Sequence, residues 1–322
     1  MINRNLNYEK LFNELVDFTF DYVKNHNLRS AVLGISGGID STVVAAILYE
    51  VTKKHDNWFN TLSDKDIKKF NVLPFVFYGY SLPTETTDGD EFHTSTIVGN
   101  AFCKYHDMHL PSFFTEKIED CANFVSNFCG VVGTLRNDAF RIGNIKSRLR
   151  MIYLYDHAKK HNGFVVGTDN WTEKLLGFST IGGDALADYM PIQYLWKTEV
   201  YGLANYLLEK YKKEENWAAV HALAESIKLT PQDGLGISNS DMEQIGAKNY
   251  FDVDEILYEF VQCVGYNKNY TPGSVNTEFD KNVYPKLVKK FGKDVVQKVL
   301  NRYLNNFKLN LPIEFINDDI KQ

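Results

Sequence analysis

The stretch Ala31-Val32-Leu33-Gly34-Ile35-Ser36-Gly37-Gly38-Ile39-Asp40-Ser41-Thr42 decides how the rest of the chain is read. Its first five residues form a short apolar run suited to a strand buried inside a sheet. Thr42 to Tyr49 is helix-forming, so the order is strand, tight loop, helix. The two glycines let the backbone approach a ligand closely. The amides that open the next helix, with the Ser36 and Ser41 hydroxyls, offer donors to an anion. The loop therefore reads as a phosphate cradle. It has neither the Gly-Lys-Ser/Thr of a Walker loop nor the G-x-G-x-x-G of a dinucleotide fold, which points away from γ-phosphate transfer and nicotinamide redox chemistry. Asp40 is the unusual member. A carboxylate beside a phosphate repels it unless a divalent cation lies between them, so Mg²⁺ is implied. A plain turn capped by Asp40 and Ser41 is the bland alternative, and it suits an isolated Gly-Gly better than this whole string.

Working outward, residues 8–27 read as an amphipathic helix with Leu11, Leu15, Phe18 and Tyr22 on one side. Apolar runs at Val72 to Tyr78 and at Phe164 to Val166 read as further strands, with Met108 to Phe114 a weaker one. Lys146 to His161 carries an apolar helical face of Met151, Leu154, Tyr155 and Ala158. Another helix follows Lys197, with Val200, Leu203, Ala204, Leu207 and Leu208 inward. Strands alternating with helices predict an α/β fold, a parallel twisted sheet with helices on both faces, Rossmann-like, followed by a helical C-terminal extension. In such sheets ligands sit beyond the carboxyl ends of the strands, where the glycine loop and the Gly167-Thr168-Asp169 turn are expected to meet. With no internal repeat and no low-complexity linker, residues 1–322 are expected to form a single domain. Residues 227–250, rich in Gly, Ser, Asp and Asn, read as a lid.

The bulk composition sets limits. With 322 residues, 44% hydrophobic and 24% charged, the chain is globular in character. No run reaches the ~20 apolar residues of a membrane span, and the polar start at Met1 to Lys10 lacks a signal-peptide core, so the expected location is the cytoplasm. A net charge of −6 gives no broad attraction to nucleic acid. Cys103, Cys121, Cys129 and Cys263 contain no Cys-x-x-Cys pair, which speaks against a zinc ribbon or dithiol site. His157 with His161, and His106 with His109, have spacings that metals use. No further ligand completes either set, so solvated or core histidines fit better. Tyr189, Tyr194 and Trp196 suit a core or an interface.

Three more segments bear on function: Gly143-Asn144-Ile145-Lys146-Ser147-Arg148-Leu149-Arg150-Met151; Val166-Gly167-Thr168-Asp169-Asn170 with Glu173; and Gly182-Gly183-Asp184 with Asp188, Pro191 and Lys197. A fourth, Pro231-Gln232-Asp233-Gly234-Leu235 followed by Asp241, is similar to an active-site flap. Together with the Ser-Gly-Gly-x-Asp-Ser loop, they resemble the pyrophosphatase-loop family of ATP-dependent adenylating enzymes, and within it the ammonia-dependent NAD synthetases. The resemblance implies the adenine nucleotide alpha-hydrolase-like fold and a ligase that amidates deamido-NAD with ammonia and ATP. It implies that Gly34, Ile35, Ser36, Gly37, Gly38, Ile39, Asp40 and Ser41 hold the ATP phosphates, with Thr168 and Lys197 also on ATP. Asp40 and Glu173 would ligate Mg²⁺, and Arg148, Asp188 and Lys308 would bind deamido-NAD. Asp40, Ser36 and Lys197 are the expected catalytic set, and a homodimer is implied.

The chain also departs from that family. Ser81-Leu82-Pro83-Thr84-Glu85-Thr86-Thr87 stands where an Arg and a Gln are common, Ile181 where many members have a lysine, Gln232 where a Ser or Thr is found, and Phe307-Lys308 where a His-Lys pair is found. Lys174, Lys228 and Arg136 are candidates to supply the missing charge. Only about 30 residues precede the loop, so free ammonia rather than a fused glutaminase is the expected nitrogen source. Two readings stay open beside this one: another pyrophosphatase-loop enzyme, GMP-forming or tRNA-modifying, and a nucleotide-binding module without turnover.

Overall fold

Four parallel strands in the order β3-β2-β1-β4 form the sheet: β1 (Ser30–Gly34), β2 (Val76–Ser81), β3 (Phe113–Thr115) and β4 (Gly163–Val166). The computed structural model describes residues 6–103, 112–131, 136–231, 240–265 and 278–306, without the side chains of 136 and 137. Around the sheet run α1 (Tyr8–Asn25), α2 (Ile39–Phe59), α3 (Asp64–Phe70), α4 (Gly89–Phe102), α5 (Glu119–Phe128), α6 (Arg136–Lys160), α7 (Trp171–Leu176), α8 (Lys197–Lys213) and α9 (Trp217–Lys228). Beyond them come α10 (Asp241–Ile245), α11 (Tyr250–Val264), a π-helical turn at Phe279–Val283, α12 (Tyr284–Phe291) and α13 (Lys293–Leu304).

Alternation along the strands separates the two faces of the sheet. Ala31 and Leu33 of β1 and Phe164 and Val166 of β4 join one core with α1, α2, α8 and α9. Val32 and Val165 turn the other way and pack against Met151, Leu154 and Ala158 of α6. Both faces are thus covered by helices, as expected for a parallel sheet, and β1 and β4 are buried almost throughout. Helix α2 is enclosed on all sides, from Val43 to Leu48 without a break, which explains its nearly uninterrupted apolar run. A third core joins α7 to α10–α13 through Leu175, Leu176, Val253, Leu257, Phe260, Val299 and Tyr303, and this is the helical extension. Among the described residues no helix is long and apolar enough to cross a membrane.

Several boundaries differ from the sequence reading. β2 begins at Val76 rather than Val72 and runs on to Ser81. Pro74 has no N–H to give a ladder, and the later residues Tyr78-Gly79-Tyr80-Ser81 do not form an apolar run. In α1 the buried stripe is Phe12, Val16, Phe20 and Val23, flanked by Leu11, Leu15 and Tyr22, while Phe18 is exposed and stacks on Tyr189. Helix α6 starts ten residues before Lys146; in Arg136–Ile145 five charged or amide residues and Gly143 break up the apolar positions and conceal the periodicity. The predicted third strand, Met108 to Phe114, lies partly outside the described residues; within them the strand is Phe113–Thr115. The predicted lid spans the end of α9, residues 232–239, which lie outside the described residues, and α10.

β1 lies beside both β2 and β4: the chain runs from β1 through β2 to β3 on one side, and the connection from β3 then crosses back to place β4 on the other side of β1. A crevice opens at such a switch point, beyond the carboxyl ends of β1 and β4.

Candidate active site

At that crevice is a cleft of about 470 Å³ lined by the glycine loop, the 167–169 turn, Glu173 and Lys197. The volume is within the usual range for a small-molecule site. Local chemistry explains the loop. Gly37 has φ +94°, and a Cβ there would meet the Glu91 carbonyl oxygen at 2.6 Å and the Ser95 nitrogen at 2.7 Å. Only glycine escapes both the strain and the clash. The Ser36 and Ser41 hydroxyls lie 3.2 Å apart, Ser41 donates to the Gly38 carbonyl at 3.0 Å, and the Gly38 amide donates to Ser36 Oγ at 3.2 Å. The turn thus arrives already shaped. Helix α2 has Gly38 at its N-cap and no side-chain cap, whereas α1, α3, α4 and α7 are capped by Asn7, Ser63, Asp88 and Asn170. Its first amides are left for an anion in the cleft.

Asp40, in the first turn of α2, meets two partners that are distant in sequence. Asn170, fully buried, donates its Nδ2 to Asp40 Oδ1 at 2.8 Å. The Lys197 ammonium pairs with Asp40 Oδ2 and with Glu173 Oε1, the latter at 2.8 Å. Asn170 also caps α7: it accepts from the Glu173 amide at 3.0 Å, while Glu173 Oε2 accepts from the Asn170 amide at 3.3 Å. One capping box therefore aims both Glu173 and Asp40. Burial works to lower the Lys197 pKa, but Asp40 and Glu173 outweigh it and hold the ammonium charged well above the usual lysine range. Glu173 shows the opposite imbalance. Burial raises its carboxyl, Lys197 lowers it, and Asp40 and Asp241 raise it again, leaving it at about 7. Burial, followed by Asp184, Glu173 and Asp40, lifts Asp169 well above the ordinary carboxylate range.

The cluster thus carries more carboxylate than its one ammonium neutralises. Two hard oxygen donors beside a phosphate cradle suit Mg²⁺, which binds through one or two carboxylates plus substrate phosphates. Among the described residues no group of three or more His, Cys, Asp or Glu forms a closed metal cage.

Of the residues proposed from sequence, Gly34, Ile35, Ser36, Gly38, Ile39, Asp40, Ser41, Thr168, Glu173 and Lys197 line this one cleft. Of the deamido-NAD set, the two described members, Arg148 and Asp188, are not brought into it. Arg148 is exposed and its Nε donates to the Ile181 carbonyl at 3.1 Å. Asp188, also exposed, accepts from the Val165 amide at 2.8 Å and from the Tyr155 hydroxyl at 3.3 Å. Lys308, Phe307 and Gln232 lie outside the described residues, as do His106 and His109. Lys174 and Lys228 do not line the cleft either. Lys228 pairs with Glu225 at 2.6 Å, Lys174 lies 5.8 Å from the Trp171 ring, and the Arg136 side chain is not among those described. His157 and His161 belong to an aromatic stack with Tyr153 and Tyr78.

Two cleft cations were missed by sequence reasoning. Arg150 lines the cleft and donates its Nε to the Leu82 carbonyl at 3.0 Å, beside the cation-free segment after β2. Helical spacing holds the signal: Asn144, Ser147, Arg150, Met151 and Leu154 share the cleft face of α6, and Arg148 falls off it. Arg302 reaches the cleft from α13, its guanidinium over Phe178 at 4.0 Å, and no local pattern announces it.

Comparison with known proteins settles the family. The NAD synthase family model matches residues 11–312. The chain belongs to that family. Among relatives, the NH(3)-dependent NAD(+) synthetase of Fusobacterium nucleatum is 28% identical over 309 residues, covering 96% of each protein. That of Thermococcus sibiricus is 31% identical over 258 residues, 80% of this chain and 83% of the relative. Two solved structures share the fold. NMN synthetase from Francisella tularensis has a TM-score of 0.66 at 18% identity, covering 97% of this chain and 99% of that one. NH3-dependent NAD synthetase from Campylobacter jejuni has a TM-score of 0.62 at 20% identity, covering 97% and 100%.

Proposed function

We propose that this chain is an ammonia-dependent ligase that converts deamido-NAD to NAD with cleavage of ATP to AMP and pyrophosphate. The observation that carries this reading is the Lys197 ammonium held between Asp40 and Glu173 at the first turn of α2, next to an uncapped helix start and a preformed Ser-Gly-Gly loop. A carboxylate oxygen of the nicotinate attacks the α-phosphorus. The bond from that phosphorus to the bridging oxygen breaks, and pyrophosphate leaves with the electron pair. Ammonia then attacks the acyl carbon and loses a proton, and AMP departs with the C–O electron pair.

The chain's own groups suit these steps. The 34–41 loop and Thr168 take the ATP phosphates, and Lys197 answers the charge that builds on the leaving pyrophosphate. Asp40 and Glu173 are the pair that would hold Mg²⁺, which when bound neutralises phosphate charge. Ser36 orients the phosphate from the loop. Arg148, Asp188 and Lys308 are assigned to deamido-NAD, with Arg148 suited to bidentate pairing with a pyrophosphate or carboxylate.

Arg148 and Asp188 face outward, and Phe124, Phe128 and Ile152 on α5 and α6 are exposed apolar groups at 72%, 84% and 64%. A second copy covering this face would bury them and enclose the substrate end, so we assign a homodimer. We read the 322 residues as one synthetase unit fed by free ammonia. We place it in the cytoplasm, where the exposed free thiols Cys121, Cys129 and Cys263 stay reduced.

The direct test incubates the protein with ATP, Mg²⁺, deamido-NAD and either ammonium or glutamine. Equal NAD and AMP with ammonium, and little with glutamine, is the expected result. Amidation of nicotinate mononucleotide but not of deamido-NAD, or ATP binding without AMP release, would overturn it.

A further inference from the structure

The chemistry-bearing side chains lie on α2, α7 and α8, yet a carboxylate that holds two of these elements comes from the helical extension. Asp254, on α11, is fully buried. Its Oδ1 accepts from the Thr172 hydroxyl at 2.5 Å and its Oδ2 accepts from the Thr198 amide at 2.9 Å. Thr172 Oγ, having given its proton to Asp254, accepts from the Lys197 amide at 2.9 Å. Thr172 is the residue before Glu173, and Thr198 is the residue after Lys197. One carboxylate therefore fixes the backbone beside both groups that pair in the cleft.

The same helix supplies a second hold. The Tyr250 ring lies 5.1 Å from the Lys197 ammonium, and its hydroxyl donates to Asp241 Oδ2 at 2.6 Å. Asp254 sits among Val253, Leu257 and Ile256 of an apolar core, where a carboxylate is costly. Burial pushes its carboxyl up to about 6, against the bonds from Thr172 and Thr198. The carboxylate offsets that cost by accepting from the Thr172 hydroxyl and the Thr198 amide, two donors that an aliphatic side chain would leave unpaired, and in doing so it aims both segments. The proton that Thr172 donates to Asp254 leaves a hydroxyl lone pair facing the Lys197 amide. That sets where a long, rotatable lysine begins.

We propose that Asp254 is a positioning residue for adenylation, holding Thr172 and the first turn of α8 so that Lys197 and Glu173 meet Asp40 in one fixed geometry. This rests on the role given above to Lys197 and Glu173.

Thr172→Val removes the hydroxyl at nearly constant shape, Thr172→Ser keeps it, and Asp254→Asn removes the charge. With AMP release as the assay and thermal melting to confirm folding, Thr172→Val and Asp254→Asn are expected to lower kcat by about 10–100-fold while KM for ATP moves less than about 3-fold. Thr172→Ser should return kcat to within about 3-fold of the original, and the double variant should be no worse than the worse single, as for groups acting as a unit. A merely structural role would lower the melting temperature and leave kcat per folded molecule unchanged, and that result overturns the proposal. Should Asp254→Asn not fold, the two Thr172 variants separate these outcomes by themselves. Lys197→Ala, run in parallel, distinguishes the two levels. A crippled Lys197→Ala beside an unimpaired Thr172→Val overturns the positioning role alone, whereas an unimpaired Lys197→Ala overturns the site assignment and this proposal with it.

Discussion

The proposed phosphate end and the proposed substrate end of this molecule are built in opposite ways. At the phosphate end, Asp40, Asn170, Glu173 and Lys197 are packed together, each fixed by a partner from another element. At the substrate end, Arg148 and Asp188 are exposed and engage backbone groups of neighbouring segments. Triphosphate chemistry needs fixed charges at a developing anion and gains from preorganisation within one chain. A dinucleotide spans a longer path, and on the function proposed above that path would lead out of the cleft to an apolar surface that a second copy is suited to cover.

The largest effect expected from this contrast is at Asp40. Asp40→Ala removes a partner of both Asn170 and Lys197, and AMP formation should fall by on the order of 10³-fold. A loss under about tenfold would mean that the preorganised cluster is not the reacting end. Gly37→Ala comes next. With φ at +94° and backbone atoms 2.6 and 2.7 Å from the new Cβ, it should lower the folding free energy by about 2–3 kcal/mol in urea titration. A cost below about 0.5 kcal/mol would show that the loop can relax.

Arg148→Ala probes the other end. It should raise KM for deamido-NAD by about tenfold while leaving KM for ATP within about twofold, the split expected when uniform binding is lost. Ile152→Asp should shift sedimentation toward monomer and weaken deamido-NAD turnover with it. Normal turnover by the monomer would show that one subunit completes the substrate site.

The smallest effect is in pH dependence. Glu173 is raised from its ordinary value to about 7, so between roughly pH 4.5 and 7 the folded chain holds more proton than the unfolded one. Stability from this group therefore declines as pH rises through that window. Glu173→Gln should remove that decline and flatten the stability profile across the window. An unchanged slope would place the excess charge elsewhere.

Most of the phosphate end is legible in sequence because it rests on local grammar. Ser36 to Ser41 forms an unbroken turn, and Asn170 with Glu173 is a capping box three residues apart. β1 and β4 are uniform apolar runs because both their faces are buried. β2 is harder to place because Gly79 and Ser81 interrupt its apolar run, and the start of α6 is hidden because five charged or amide residues and Gly143 break up the apolar positions of its first ten. The contacts that join distant parts leave no local trace. Asp254 lies 82 residues from Thr172, and Arg302 enters the cleft from the last described helix. Arg148 is assigned by resemblance, whereas the 3–4 residue spacing of Asn144, Ser147, Met151 and Leu154 places Arg150 on the cleft face instead.

The central claim is that the substrate carboxylate itself attacks the α-phosphorus of ATP. Deamido-NAD labelled with ¹⁸O in its nicotinate carboxylate, turned over with ammonia and analysed by mass spectrometry, tests it most directly. The AMP formed should carry one labelled oxygen and the pyrophosphate none. Unlabelled AMP alongside NAD, or label in orthophosphate alongside ADP, would contradict it.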